Sequence, residues 1–134
     1  MLKIISVNTN GIRAAARKGF FDWLKRQNAD VVCIQETKAQ IHQLEDECFR
    51  PKGYFCYYND ALKKGYSGVA IFCRIKPKKI IYGIGYKEFD EEGRYLEVRF
   101  DSINVVSIYL PSGSSGDVRQ SFKMECLEKF ENHL

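Results

Sequence analysis

The chain reads as an α/β protein, and three observations carry that reading. Short β-branched runs recur along its length, an amphipathic stretch at helical spacing separates the first two, and Gly, Pro, Asn or Asp punctuate the remainder. With 134 residues, 45% of them hydrophobic and 28% charged, it has the size and composition of a globular domain able to bury a core. Three prolines and ten glycines without a biased tract exclude collagen-like or linker character. No apolar run approaches the roughly 20 residues of a membrane helix, so no membrane partner is expected.

The elements follow in order. Residues 3–7 and 30–35 are apolar runs expected as strands, and residues 14–27 between them carry Ala16, Phe20, Trp23, Leu24 and Gln27 on one helical side. A second helix is expected over 40–49. Strands are expected at 54–58, 68–73, 79–84, 95–100 and 104–110, each bounded by turn residues. Asp117 would cap a third helix over 118–134, with Val118, Phe122, Cys126 and Phe130 on its apolar side. Ile4-Ile5, Val31-Val32-Cys33-Ile34, Val69-Ala70-Ile71-Phe72 and Val105-Val106 do not alternate apolar with polar, which predicts strands buried on both faces. Three helices cover one face of a six- or seven-stranded sheet, so the other face is expected to be covered by a missing segment or another chain, or to drive self-association.

Charge and special residues narrow the chemistry. Lys and Arg number 21 against 17 Asp and Glu, a net charge of +4, compatible with a polyanionic partner without requiring one. Five cysteines, an odd count with no Cys-x-x-Cys, exclude a disulfide framework and a zinc knuckle. Cys33 and Cys73 sit in apolar runs as free thiols of a reducing compartment. The N-terminal apolar run meets Ser6 too soon for a signal-peptide core, so a cytoplasmic protein is expected. With only His42 and His133, a Ser-His-Asp triad or a His-x-x-x-His metal site has almost no material. The basic run Arg74, Lys76, Lys78, Lys79 reads as a solvated loop around Pro77.

Two strands end alike: the run to Val7 gives way to Asn8-Thr9-Asn10-Gly11, and the run to Ile34 gives way to Gln35-Glu36-Thr37-Lys38. Polar groups at the carboxyl ends of neighbouring strands mark the ligand-binding edge of an α/β sheet. A carboxylate and an amide there can hold a hard cation through oxygen. Gly65-Tyr66-Ser67-Gly68-Val69, Glu92-Gly93-Arg94 and Tyr109-Leu110-Pro111-Ser112-Gly113 follow in order. The set resembles exonuclease III and the apurinic/apyrimidinic endonucleases of the endonuclease/exonuclease/phosphatase superfamily, over essentially the whole chain.

The resemblance implies a deoxyribonuclease I-like four-layer α/β/β/α sandwich, of which residues 1–134 would form the N-terminal half, one sheet with its helices. It makes Glu36 the magnesium-binding glutamate, with manganese as the other ion. Asn8 becomes the asparagine that orients phosphate and nucleophile beside the metal, and Tyr109 the active-site tyrosine. Gly11, Arg13, Lys38, Tyr66, Arg94 and Ser112 fall where the family grips DNA backbone, and their types suit phosphate contact. Asn10 stands where some members carry aspartate, and Ser112 where others carry asparagine. The family's Gly-Asp-x-Asn, Arg-Ile-Asp-like and Ser-Asp-His segments, which supply the base and a phosphate-contacting histidine, do not occur in these residues.

The implied function is a base excision repair nuclease hydrolysing phosphodiesters of double-stranded DNA at abasic sites and 3′ ends, cytoplasmic and nucleoid-associated. Residues 1–134 alone are expected to be inactive. The alternatives are another phosphoesterase of the superfamily, or a non-catalytic fragment that binds DNA.

Overall fold

The computed structural model describes residues 2–111. The expected helix over 118–134, and Ser112, lie outside them. Seven strands form: β1 (Ile4–Asn8), β2 (Val31–Gln35), β3 (Phe55–Asn59), β4 (Val69–Cys73), β5 (Lys79–Tyr82), β6 (Tyr95–Arg99) and β7 (Asn104–Ile108). Helices α1 (Ile12–Arg17) and α2 (Phe20–Gln27) make the crossover from β1 to β2, and α3 (Lys87–Asp90) precedes β6.

The fold class stands, but the seven strands do not share one sheet. Four make a sheet of order β1-β2-β4-β3, with β1 parallel to β2 and the other pairs antiparallel. The other three make an antiparallel sheet of order β5-β6-β7. Side chains alternate across each strand, so each face of the first sheet faces a different layer. Val32, Ile34, Ala70 and Phe72 pack under Ile12, Phe20, Phe21 and Leu24 of the helices. Val31, Cys33, Val69, Ile71 and Cys73 pack against Leu96, Val98 and Val105 of the second sheet.

This corrects the expectation that a missing segment or another chain covers the second apolar face: this chain's own second sheet covers it. A non-alternating strand shows that both faces are buried, not by what. Beyond the second sheet, Phe89 and Tyr95 pack with Ile84, Tyr86, Val106 and Ile108.

Two expected helices differ. The one over 14–27 breaks into α1 and α2 at Gly19, whose φ of 91° is left-handed backbone that suits glycine. The one over 40–49 is replaced by two 3₁₀ turns, Ile41–Gln43 and Glu47–Phe49. There the backbone N–H of Gln40 donates to Gln43 Oε1 at 2.9 Å and that of Cys48 to Asp46 Oδ1 at 2.9 Å. Such local bonds compete with helix continuation. The one-turn α3 has no counterpart in the sequence expectation. No helix among the described residues is long and apolar enough to cross a membrane.

Candidate active site

Parallel pairing in register sets Asn8, the last residue of β1, beside Gln35, the last of β2, so both chains turn at the same edge. The two turns are stitched by main chain: Thr9 N–H donates to Gln35 O at 3.0 Å, Gly11 N–H to Glu36 O at 2.7 Å and Ile12 N–H to Thr37 O at 2.9 Å. Thr9 Oγ1 adds bonds to the carbonyls of Gln35 and Glu36 at 3.2 and 3.0 Å. From the other side, Thr37 N–H donates to Gly68 O at 3.1 Å and Lys38 N–H to Ser67 O at 2.8 Å.

The corner is strained. Five described non-glycine residues have positive φ, and four of them, Asn10, Glu36, Lys38 and Ser67, lie here. Backbone held in this way, at a cost of order 1–3 kcal/mol per residue, concentrates at functional sites.

What the strain positions is a polar cluster. Asn8 Nδ2 donates to Glu36 Oε1 at 2.7 Å, while Asn8 Oδ1 accepts from Asn10 N–H at 2.9 Å. Lys38 Nζ donates to Asn10 Oδ1 at 2.6 Å and lies 3.5 Å from Glu36 Oε2. Arg13 Nη2 donates to Lys38 O at 3.2 Å. Tyr109, just past β7, reaches the cluster from the second sheet, with its hydroxyl beside the Glu36 carboxylate. Burial, and after it the charge and hydrogen bond of Glu36, raise its phenol above the ordinary tyrosine value, against the opposing charge of Arg94.

Asn8, Glu36, Lys38, Arg13, Gly11 and Tyr109 therefore meet at one edge, contributed by both sheets. Arg94 does not stand open as a phosphate-gripping fork. It is 1% exposed, and its Nε, Nη1 and Nη2 donate to Glu92 Oε1, Tyr109 O and Tyr66 OH at 2.8, 3.0 and 2.8 Å. A guanidinium taken out of water needs such partners, so burial turned the expected DNA contact into an internal one. The basic run is solvent-exposed at Arg74, Lys76, Lys78 and Lys79, as expected, with Lys79 opening β5. Arg74 lies over the Tyr54 ring and bonds Ala29 O, and Lys78 pairs with Asp101, at the opposite strand ends.

Sequence reasoning missed Thr9, for which no local signal exists. It also missed Glu92, which was visible only as part of the Glu-Gly-Arg string.

The donors fit a hard divalent cation: Glu36 offers carboxylate oxygen, and the neighbouring amide of Asn8 orients it. Among the described residues no group of three or more His, Cys, Asp or Glu gathers.

The model of the Endonuclease/Exonuclease/phosphatase family matches residues 5–132, and the chain belongs to that family. It is 40% identical over 134 residues to an exodeoxyribonuclease of Bacillus subtilis, covering 99% of this chain and 52% of that protein. It is 36% identical over 126 residues to the DNA repair nuclease APEX1 of Danio rerio, covering 91% of this chain and 40% of that protein. Among solved structures, an AP endonuclease from Archaeoglobus fulgidus superposes with a TM-score of 0.85 at 29% identity, over 100% of this chain and 51% of that one. The chain thus spans about half the length of these relatives, and its fold is theirs over that half.

Proposed function

We propose that the chain carries the metal- and phosphate-holding part of a DNA repair nuclease of the exodeoxyribonuclease III type, acting with Mg²⁺ on phosphodiesters of duplex DNA at abasic sites and 3′ ends. The observation that supports it best is the meeting of Asn8, Glu36 and Tyr109 at one strained edge drawn from both sheets. The names of its relatives agree with it. Glu36, oriented by Asn8, would hold Mg²⁺ or Mn²⁺, which supplies charge for the oxygens of the phosphate undergoing attack.

The chain's own groups do the rest. Lys38 and Arg13 place positive charge at the rim, the Gly11 turn lets a phosphate approach the backbone, and Tyr66 offers a ring beside the Ser67-Gly68 turn. Such contacts position DNA without reading its sequence, which suits recognition of a lesion or an end. The Tyr109 hydroxyl, beside Glu36, would donate to a phosphate oxygen once it turns from the carboxylate. The base would come from the Gly-Asp-x-Asn segment of a complete family domain, which these 134 residues do not contain. A cytoplasmic place in base excision repair goes with this reading.

Anisotropy of a labelled duplex with one abasic site, titrated with the chain in Mg²⁺ at several salt concentrations, tests the proposal. Saturable binding that weakens with salt is expected, with a shallower salt slope for Lys38→Ala. Saturable binding of an inositol phosphate without binding of DNA would overturn it in favour of a phosphatase. Mg²⁺-dependent, EDTA-sensitive incision by residues 1–134 alone would establish the nuclease and overturn the assignment of the base elsewhere.

A further inference from the structure

We propose that Arg94 is a positioning residue that couples Tyr66, at the DNA-facing rim, to Tyr109, at the reacting phosphate, and through them closes a ring of contacts around Glu36. Its bearing on catalysis rests on the nuclease reading above; the coupling itself is a property of the fold.

Arg94 is tied to Tyr109 twice. Tyr109 N–H donates to Arg94 O at 2.9 Å, and Arg94 Nη1 donates back to Tyr109 O at 3.0 Å. The guanidinium carbon lies 5.2 Å from the centre of the Tyr109 ring and 5.6 Å from that of Tyr66, within the range of cation–π attraction. Nη2 donates to the Tyr66 hydroxyl at 2.8 Å, and that hydroxyl in turn lies 3.3 Å from Glu92 Oε1. One planar fork therefore reaches three acceptors on three segments, which the point charge of a lysine cannot do.

The aim of the fork is set by its turn. A Cβ on Gly93 would lie 2.5 Å from the backbone carbon of Asp60 and 2.7 Å from the Ala61 nitrogen, so the turn before Arg94 is packed directly on the 59–61 backbone.

The ring closes through the loop that follows Tyr66. Ser67 and Gly68 accept from the N–H groups of Lys38 and Thr37, the residues that follow Glu36, whose carboxylate lies beside the Tyr109 hydroxyl. A push on Tyr66 by a DNA strand thus reaches the catalytic corner by two routes, one through Arg94 to Tyr109 and one through Ser67-Gly68 to the Glu36 turn. Arg94 is buried and its fork is taken up by Glu92, Tyr109 and Tyr66, so it acts through the tyrosines it holds.

Uniform 3-fluorotyrosine labelling of the ligand-free chain puts a ¹⁹F reporter on each of its eight tyrosines, assigned by single Tyr→Phe changes. Tyr66→Phe removes one hydroxyl and keeps the ring. It is expected to shift or broaden the Tyr109 signal while those of Tyr54, Tyr57 and Tyr58 stay in place. In an Arg94→Lys background the same change is expected to move Tyr109 far less, because the direct link is already cut and only the longer route through Ser67-Gly68 is left. Should Arg94→Lys fail to fold, Arg94→Gln, which also lacks the fork, replaces it. A Tyr109 signal indifferent to Tyr66→Phe overturns the coupling, and so does a response that persists unchanged in the Arg94→Lys or Arg94→Gln background. No DNA is present, so a failure to bind or cut DNA would overturn the nuclease reading and leave this result untouched.

Discussion

Glu36 is held in left-handed backbone with φ of 51° by hydrogen bonds on both sides of its turn, and its carboxylate is shared between Asn8 and Lys38, with the Tyr109 hydroxyl beside it. Glu36→Gln keeps the shape and an oxygen for Asn8 but removes the charge that a cation needs. In a family domain that cleaves, Mg²⁺-supported kcat is expected to fall by about 100-fold or more, with duplex affinity within a few-fold, as read by single-turnover incision and anisotropy. Activity kept within a few-fold would remove Glu36 from the metal site. Gly68 answers to sterics instead: at φ 86° an added Cβ would lie 2.1 Å from Thr37 Oγ1. Gly68→Ala is expected to destabilise the chain by about 3 kcal/mol, combining backbone strain and overpacking, measurable as a lowered urea midpoint.

At the level of elements, the α1–α2 break and the aromatic packing beneath it set the crossover that carries β1 to β2. Gly19 also has positive φ, at 91°, but nothing lies within 4 Å of an added Cβ. Gly19→Ala therefore meets only the backbone term, about 1 kcal/mol, and its urea midpoint should fall well short of the change at Gly68. The contrast separates conformational strain from collision. Beneath the helices, Phe72 on β4 is fully buried, with ring centres of Phe21, Tyr54 and Tyr58 at 6.4, 6.4 and 5.6 Å. Phe72→Ala is expected to cost about 3–5 kcal/mol, read by denaturant titration, with little change in DNA affinity if the helical layer stays assembled.

Taken as a whole, the molecule joins its two sheets through a layer rich in thiols. Burial raises Cys33 and Cys73 to about 11, and Cys56, in the helical layer, to about 12. The folded chain thus keeps these protons at pH values where the unfolded chain, with thiols near 9, has released them. Stability is full below pH 9 and falls as pH rises towards 11, with each thiol contributing a slope of up to about 1.4 kcal/mol per pH unit. Urea midpoints between pH 8 and 10.5 should show the decline, and Cys33→Ala should flatten it; an unchanged slope would refute the assignment.

Much was legible along the chain because the strands are short-range objects. Each apolar run expected as a strand within residues 2–111 overlaps one to within a residue or two, since β-branched side chains and turn residues act locally. Asn8 and Glu36 could be paired from their places after two strands, because parallel register follows from a crossover helix. The helix over 40–49 was illegible because Gln40 and Asp46 bind their own backbone, an outcome that apolar spacing does not encode. Arg94 looked like a surface cation because its type suits phosphate; burial, which depends on Tyr66 and Tyr109 arriving from distant segments, gave it a different task. The doubly apolar strands likewise demanded a cover whose source no local pattern can name. Composition and spacing settled the class of fold and marked the sheet edge that carries the candidate site. The division into two sheets, the internal fork and the closing of Tyr109 onto Glu36 depended on contacts between residues far apart in sequence, where packing and desolvation, not propensity, choose the partner.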